Sequence, residues 1–259
     1  AVDNAVNEIM AFGGKVGAYY ADSPDIVLRA SNRRRLLTLN EKARKNEILR
    51  HIEAGVDNPC IDGVMIESDV EIGVGTTILP GTILRGKVKI GKGCKIGPNT
   101  LIENSTVGDN VILNETQCYQ SSVINGCNLG PFAHIRPNSV VGDSVHLGNF
   151  VEVKNSSIDT GTKVSHLTYV GDSDVGKHVN FGCGTVTVNY TGRAKFRTKI
   201  MDDAFIGCNT NLVAPVTVGA GAYTAAGSTI TEDVPDSSLG IARARQVNKL
   251  GWRINKDNE

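Results

Sequence analysis

Across 259 residues, 27 Lys and Arg balance 27 Asp and Glu, so the chain carries no net charge when its histidines are neutral. A neutral chain offers no global basic field for nucleic acid or acidic lipid. It shows neither an apolar run of membrane-spanning length nor a signal-peptide pattern. Aromatics are only 5% while glycines number 29, a composition that suits a narrow, repetitive core.

In chain order, Val6, Ile9 and Met10 have helical spacing within Val2–Phe12, and Gly13-Gly14 provides the stop. Lys15–Ala21 reads as a strand. Asn32–Ala54 reads as a charged amphipathic helix carrying Leu36, Leu37, Leu39, Ile48, Leu49 and Ile52, closed by Gly55. Asp57-Asn58-Pro59 is a turn.

An aliphatic residue then returns every six positions: Ile72, Ile78, Leu84, Ile90, Ile96, Ile102, then Leu129, Ile135, Val141, Leu147, Val153, and later Ile200, Ile206, Leu212, Val218. Glycine often follows it, and a small residue often sits two positions before the next. A fixed short period sets the architecture. Six residues match neither a helix nor a simple strand alternation, but fit one flat face of a prism-shaped parallel β-helix. A β-sandwich would alternate polar and apolar residues with turns every eight to twelve positions.

The register slips by one between Ile102 and Val107, Val153 and Ile158, and Val170 and Val175. It breaks near Thr116–Ser122 and most clearly between Thr187 and Ile200. The polar, basic stretch 188–198 reads as a loop thrown out of the coil, the kind of place where function concentrates. After Val234-Pro235 the repeat ends, and the tail is expected to fold back or reach a neighbouring subunit. The six cysteines include no CxxC pair. They read as reduced, small apolar residues of a cytoplasmic protein, with Cys94 and Cys183 in the small-residue slots of the repeat.

The inward aliphatics are inert, so chemistry has to come from outward and corner residues. Residues about 18 apart stack one coil above another, about 4.8 Å apart. Arg136 and Lys154 form such a pair, and stacked cations need an anion between them. A phosphate is the natural one, with Glu152, between them in sequence, as an alternative counter-ion and supporting candidate. His166 lies two residues past the inward Val164 and points outward near Glu152 and Tyr169, where it suits a proton acceptor near neutral pH. His51, His134, His146 and His178 lack such company. No third histidine joins His166 and His178 to make a zinc site.

The strings His166-Leu167-Thr168-Tyr169-Val170-Gly171-Asp172, Asn149-Phe150-Val151-Glu152-Val153-Lys154, Gly182-Cys183-Gly184-Thr185-Val186-Thr187, Asn189-Tyr190 and Leu212-Val213-Ala214-Pro215-Val216 resemble the C-terminal half of the bacterial GlmU family. These are bifunctional N-acetylglucosamine-1-phosphate uridyltransferases and glucosamine-1-phosphate acetyltransferases, one branch of the hexapeptide-repeat acyltransferases. The resemblance runs from about residue 30 to Trp252. It implies a left-handed β-helix, a cytoplasmic homotrimer with sites between subunits, and acetyl transfer from acetyl-CoA to the 2-amino group of glucosamine 1-phosphate for UDP-GlcNAc synthesis. Carried over by position, His166 is the general base, Arg136 and Lys154 clamp the sugar phosphate, and Tyr169, Asn180 and Lys195 complete the sugar site. Cys183, Asn189, Tyr190, Cys208, Ala226 and Arg243 fall where the family contacts acetyl-CoA.

Cys183, Cys208, Thr191 and Met201 replace residues more usual in the family, Ala, Ser, Asp and Gly. The implied organisation is the end of a nucleotidyltransferase domain at 1–31, a linker helix at 32–57, the β-helix at 58–235 and a tail at 236–259. The Gly-rich nucleotide loop of the uridyltransferase half is absent from this sequence, so uridyl transfer, with its Mg requirement, is not expected. Acetyl transfer implies no metal. Two other readings are another hexapeptide acyltransferase, acting on an amino acid or lipid-A precursor, and a non-catalytic β-helix scaffold.

Overall fold

A computed structural model describes residues 2–23, 25 and 28–252. The chain separates into two compact units, Ala1–Lys45 and Asn46–Glu259. Among the described residues no helix is long and apolar enough to cross a membrane.

The first unit opens with helix α1, Val2–Ala11. It stops as the glycines require: Gly13 adopts φ +77°, and the N–H groups of Gly13 and Gly14 donate to the carbonyls of Met10 and Ile9. Residues 15–21 do not form the expected strand; no neighbouring strand pairs with them, and an isolated strand cannot satisfy its backbone. Helix α2, Arg33–Glu53, follows, capped where Asn32 Oδ1 accepts from the Arg35 N–H at 2.9 Å. It is not amphipathic in the expected sense. Only Ile48 and His51 are buried, while Leu36, Leu37, Leu49 and Ile52 are exposed, because its leucines are spread around the helix instead of along one stripe.

The second unit is the parallel β-helix. Its short strands stack into three sheets. The first face holds ten strands from Met65–Ile66 to Thr229–Ile230, the second nine from Glu71–Ile72 to Val216–Val218, and the third ten from Thr77–Ile78 to Leu239–Gly240. All pairings between these strands are parallel and in register, for example Ile66 with Leu84, Ile72 with Ile90, and Ile78 with Ile96. The hexad aliphatics are the inward residues. Ile78, Leu84, Ile96, Ile102, Leu129, Ile135 and Leu147 have no solvent exposure, so each coil rests its apolar side chains on those of the next. The small slots are buried too, and their hydroxyls bond onward between coils: Thr76 Oγ1 donates to Gly91 O and Thr162 Oγ1 to Gly176 O, both at 2.8 Å. Thr198, two residues before the inward Ile200, is the exception, its buried hydroxyl being without a hydrogen-bond partner among the described residues.

The register slips are shortened coils. Successive first-face partners are 18 residues apart at Met65–Ile83 and Ile83–Leu101, then 16 at Leu101–Gln117, 17 at Gln117–His134, and 17 again at Glu152–Tyr169 and Tyr169–Val186. The apparent break near Thr116 is not a departure from the coil, because Cys118 takes the inward position there, fully buried. The interruption at 188–198 is a real excursion, since Val186 pairs with Asn211. Nor does the coil end at Pro235: Leu239–Gly240 pairs with Tyr223–Thr224, and the N–H of Thr229 donates to Ala242 O. Backbone pairing continues there without the aliphatic pattern that marks it elsewhere. Cys94 occupies a buried small slot as expected, whereas Cys183 does not. It sits half-buried at a corner of the coil.

Candidate active site

Two corners carry the outward chemistry. The first joins the third face to the first, one residue before a left-handed corner position. Asn149 and His166 pair directly across it. The register continues upward, since Phe181 pairs with Ile206, the N–H of Gly184 donates to Leu167 O, and that of Asn209 to Cys183 O. Asn149, His166, Cys183, Cys208 and Ala226 are therefore successive rungs of one column. His166 is exposed, and its Nδ1 lies 2.9 Å from Asn149 Oδ1. An amide oxygen only accepts, so Nδ1 carries the hydrogen, and in the neutral imidazole Nε2 then keeps its lone pair. That is the tautomer a general base needs. Past His166 the column loses bulk, from Asn149 and His166 to Cys183, Cys208 and Ala226. At the far end the Arg243 side chain lies beside Gly227, 3.8 Å from where a β-carbon would stand.

The second corner joins the first face to the second. Arg136, Lys154, Asp172 and Lys195 line a pocket of about 320 Å³, with Pro137, Asn138 and Asn155. Arg136 and Lys154 are stacked as counted: Ile135 and Val153 pair immediately before them, and the Arg136 N–H donates to Val153 O at 2.8 Å. Arg136 Nη1 also contacts Glu152 Oε1 at 2.8 Å, so the carboxylate between the two cations pairs with the arginine. The Lys195 ammonium beside it, then partial burial, hold the Lys154 amine below the ordinary lysine range; Asp172 opposes this, and Arg136 adds to it. Burial pushes the Asp172 carboxyl up, but the amide donors of Asn155 and Asn189 and the Lys154 and Lys195 charges outweigh it and hold it below the usual carboxylate range. Three cations against two carboxylates, Asp172 in the pocket and Glu152 on Arg136, leave a net positive pocket suited to an anion.

Asp172 also ties the excursion to the coil. Its two oxygens accept from Asn155 Nδ2 and Asn189 Nδ2. The buried Asn189 side chain is thus committed to Asp172, while Tyr190 is exposed and donates to Gly192 O at 2.7 Å. Arg197 pins the other end of the excursion through Asp174, the Ser173 carbonyl at 3.0 Å and the Asn155 carbonyl at 3.1 Å. This brings Lys195 into the anion pocket.

Between the corners, on the first face, Glu152 pairs with Tyr169. The Tyr169 ring folds over Gly171, so a β-carbon at 171 has no room, and it points along the strand toward the anion pocket. Asn180 lies elsewhere, on the third face, paired with Lys163 and Phe205. A single chain does not bring Asn180 together with Arg136, Lys154 and Lys195. The sequence reading missed Asn149, Asp172 and Arg197 as contributors. The first was available to counting, since Asn149 stands one 17-residue coil before His166; the other two depend on the path of the excursion.

The bacterial transferase hexapeptide (six repeats) pattern matches residues 69–104 and 197–232. The chain is 52% identical over 250 residues to the bifunctional protein GlmU of Caldanaerobacter subterraneus subsp. tengcongensis, covering 96% of this chain and 54% of that protein. It is 48% identical over 244 residues to the bifunctional protein GlmU of Acetivibrio thermocellus, covering 94% and 53%. Against that of Halalkalibacterium halodurans it is 55% identical over 157 residues, covering 61% and 34%. The chain thus spans about half the length, or less, of the curated relatives it matches. The hexapeptide pattern and these identities agree: over nearly its whole length the chain matches the C-terminal acetyltransferase part of the bifunctional GlmU proteins.

Proposed function

We propose that the second unit is a glucosamine-1-phosphate N-acetyltransferase, moving the acetyl group of acetyl-CoA to the 2-amino group of the sugar. The observation that carries this is the division of the first face: a base with a free Nε2 at one corner and a three-cation anion pocket at the other. A sugar phosphate laid across that face presents its phosphate to Arg136, Lys154 and Lys195 and its amine to His166. Tyr169 and Glu152 lie beneath the ring, Tyr169 giving it an apolar floor.

The small-residue column is where the cosubstrate fits. Cys183, Cys208 and Ala226 leave a shelf roughly 14 Å long, three rungs of about 4.8 Å, between His166 and the Arg243 cation. Acetyl-CoA, held there, supplies the activated acyl carbon at the His166 end while Arg243 meets its phosphates. His166 Nε2 removes the proton of the attacking amine, worth about 10²–10⁴ in rate for a positioned base. Asn149 holds the ring in the tautomer that makes Nε2 the acceptor.

Asn180 lies on another face of the same chain, and its assignment to the sugar site calls for a second copy. A homotrimer whose third and first faces meet across a cleft reunites it with Tyr169 and Lys154. The roles of Asn189 and Tyr190 toward the cosubstrate belong to the same proposal, with Asn189 acting through its backbone because its amide is committed to Asp172. We place the protein in the cytoplasm, where both substrates arise.

The test is release of free CoA thiol from acetyl-CoA. Release that depends on glucosamine 1-phosphate, and is absent with glucose 1-phosphate, is the expected result. Release without any acceptor dependence, or none at all from folded protein, overturns the reading. Release that favours an amino acid or a lipid precursor as acceptor points to another branch of the family.

A further inference from the structure

We infer that Cys183 and Cys208 form a redox-responsive dithiol on the His166 column, which closes to a disulfide by exchange with the disulfide form of a coenzyme A-type thiol and thereby blocks the column. The inference rests on reading this column as the cosubstrate shelf.

The cysteines divide into two kinds. Cys94, Cys118 and Cys127 are buried. The Cys94 thiol donates to Gly108 O at 3.1 Å and the Cys127 thiol to Gly142 O at 2.8 Å, while Cys118 Sγ lies 3.1 Å from Ser121 Oγ. These are packing thiols, and burial pushes all three up, Cys127 to about 11. A thiol held in its protonated form is a poor nucleophile. Cys183 is half-buried and Cys208 exposed, and neither sulfur has a hydrogen-bond partner among the described residues. Cys60, also exposed, belongs to the first turns and has no cysteine neighbour in register.

Adjacency distinguishes the pair. Asn180 pairs with Phe205 and Phe181 with Ile206; the Gly182 N–H donates to Ile206 O at 2.7 Å, and the Asn209 N–H to Cys183 O at 2.8 Å. Cys183 and Cys208 therefore face each other across one rung. Neighbouring strands lie about 4.7–4.9 Å apart, inside the span of roughly 4.4–6.8 Å over which Cα atoms are bridged by a disulfide. Both residues occupy a corner, where Gly184 and Asn209 have positive φ, so their β-carbons can close the last fraction of an ångström without disturbing a strand. One rung below Cys183 stands His166, whose free Nε2 can take a thiol proton.

The exchange balances in two steps. The Cys183 thiolate, its proton passed to His166, attacks one sulfur of the coenzyme disulfide; that S–S bond breaks, a mixed disulfide forms and one coenzyme thiolate leaves. The Cys208 thiol, its proton taken by the departed coenzyme thiolate, then attacks the Cys183 sulfur, forming the protein disulfide and releasing the second coenzyme thiolate, which takes the proton held on His166. Two protein thiols are oxidised and one disulfide is reduced to two thiols.

The experiment uses the whole chain, treated anaerobically with CoA disulfide, with glutathione disulfide in parallel, then alkylated and mapped by mass spectrometry without reductant. The expected result is a Cys183–Cys208 linkage formed at least about tenfold faster with CoA disulfide than with glutathione disulfide, reversed by dithiothreitol. Cys208→Ser is expected to stall with a CoA adduct on Cys183, so the pair can be read without any activity. Alkylation of both cysteines unchanged by CoA disulfide, or equal rates with the two disulfides, overturns the proposal. Because the readout is a mass, it separates from the acetyl-transfer assay: transfer without linkage sinks the dithiol alone, and absence of glucosamine 1-phosphate-dependent thiol release sinks the acetyltransferase reading.

Discussion

One column of the β-helix treats charge in opposite ways at its two ends. In the early coils it runs Glu67, Arg85, Glu103, and Arg85 sits between the two carboxylates at 3.7 and 3.8 Å. Register carries the same column through Tyr119 to Arg136 and Lys154, where like charges stack and a third cation, Lys195, joins from the excursion. Alternating signs are what a stack of exposed charges adopts when it has only itself to satisfy, and such pairs contribute little. Stacked cations are unfavourable unless an external anion is the partner. The contrast, within one column of one solenoid, marks where the scaffold ends and the site begins. The neighbouring corner changes too: its early rungs hold Pro80, Pro98, Glu115 and Pro131, while the later ones carry Asn149, His166 and the thiols.

The sharpest way to break that comparison is to exchange the roles of core and surface. His166→Ala removes an exposed side chain, and stability is expected to stay within about 0.5 kcal/mol while kcat falls about 10²–10⁴. Leu147→Ala, in the fully buried stack just below, is expected to lose about 2–5 kcal/mol with kcat retained in the folded fraction. Urea titration and the thiol-release assay on both variants check this. A His166→Ala enzyme with near-full turnover sinks the base assignment.

A smaller effect tests the column itself. Lys154→Glu restores alternation of sign next to Arg136. The fold is expected to tolerate it, with KM for glucosamine 1-phosphate rising about 10- to 100-fold, the loss of a charge-assisted contact of roughly 1.5–3 kcal/mol. Arg85→Glu, in the same column among the early coils, puts three carboxylates in line. It is expected to cost no more than about 1 kcal/mol of stability and to leave KM unchanged. Equal effects on KM from the two variants would show that the pocket is not an anion site.

How much of this was legible follows from what each feature depends on. The three inward stacks need only the hexad period, so Ile72, Ile78 and Leu84 could be assigned to successive faces by counting. Arg136 over Lys154 was equally countable, because no slip intervenes. Cys183 was misplaced because the slips after Val153 and Val170 move small residues between the buried slot and the corner, and both positions favour small side chains. The strand expected at 15–21 failed for want of a partner, which local pattern cannot reveal. The last coil, to Ala242, was missed because backbone pairing holds it without aliphatic periodicity. Asp172 follows closely on His166 and Tyr169 in sequence, yet its role depends on the excursion, which brings Asn189 back to it.

The smallest effect concerns Asn149, which touches no reacting atom in the proposed reaction and acts through His166. Asn149→Ala removes the acceptor for Nδ1–H, and the ring then populates the tautomer whose Nε2 is protonated and useless as a base. The expected loss is about tenfold in kcat, the equivalent of one hydrogen bond of about 1.4 kcal/mol, with KM for glucosamine 1-phosphate unchanged. A merely structural role would instead lower stability and leave kcat in the folded fraction intact. Asn149→Asp separates the two further. A carboxylate accepts the same hydrogen, so kcat is expected to recover, but it also favours the imidazolium and raises the histidine pKa. The base must be neutral to act, so the acidic limb of the kcat–pH profile is expected to move to higher pH in the aspartate variant. An aspartate variant with the wild-type limb would mean that the 2.9 Å contact does not govern the base.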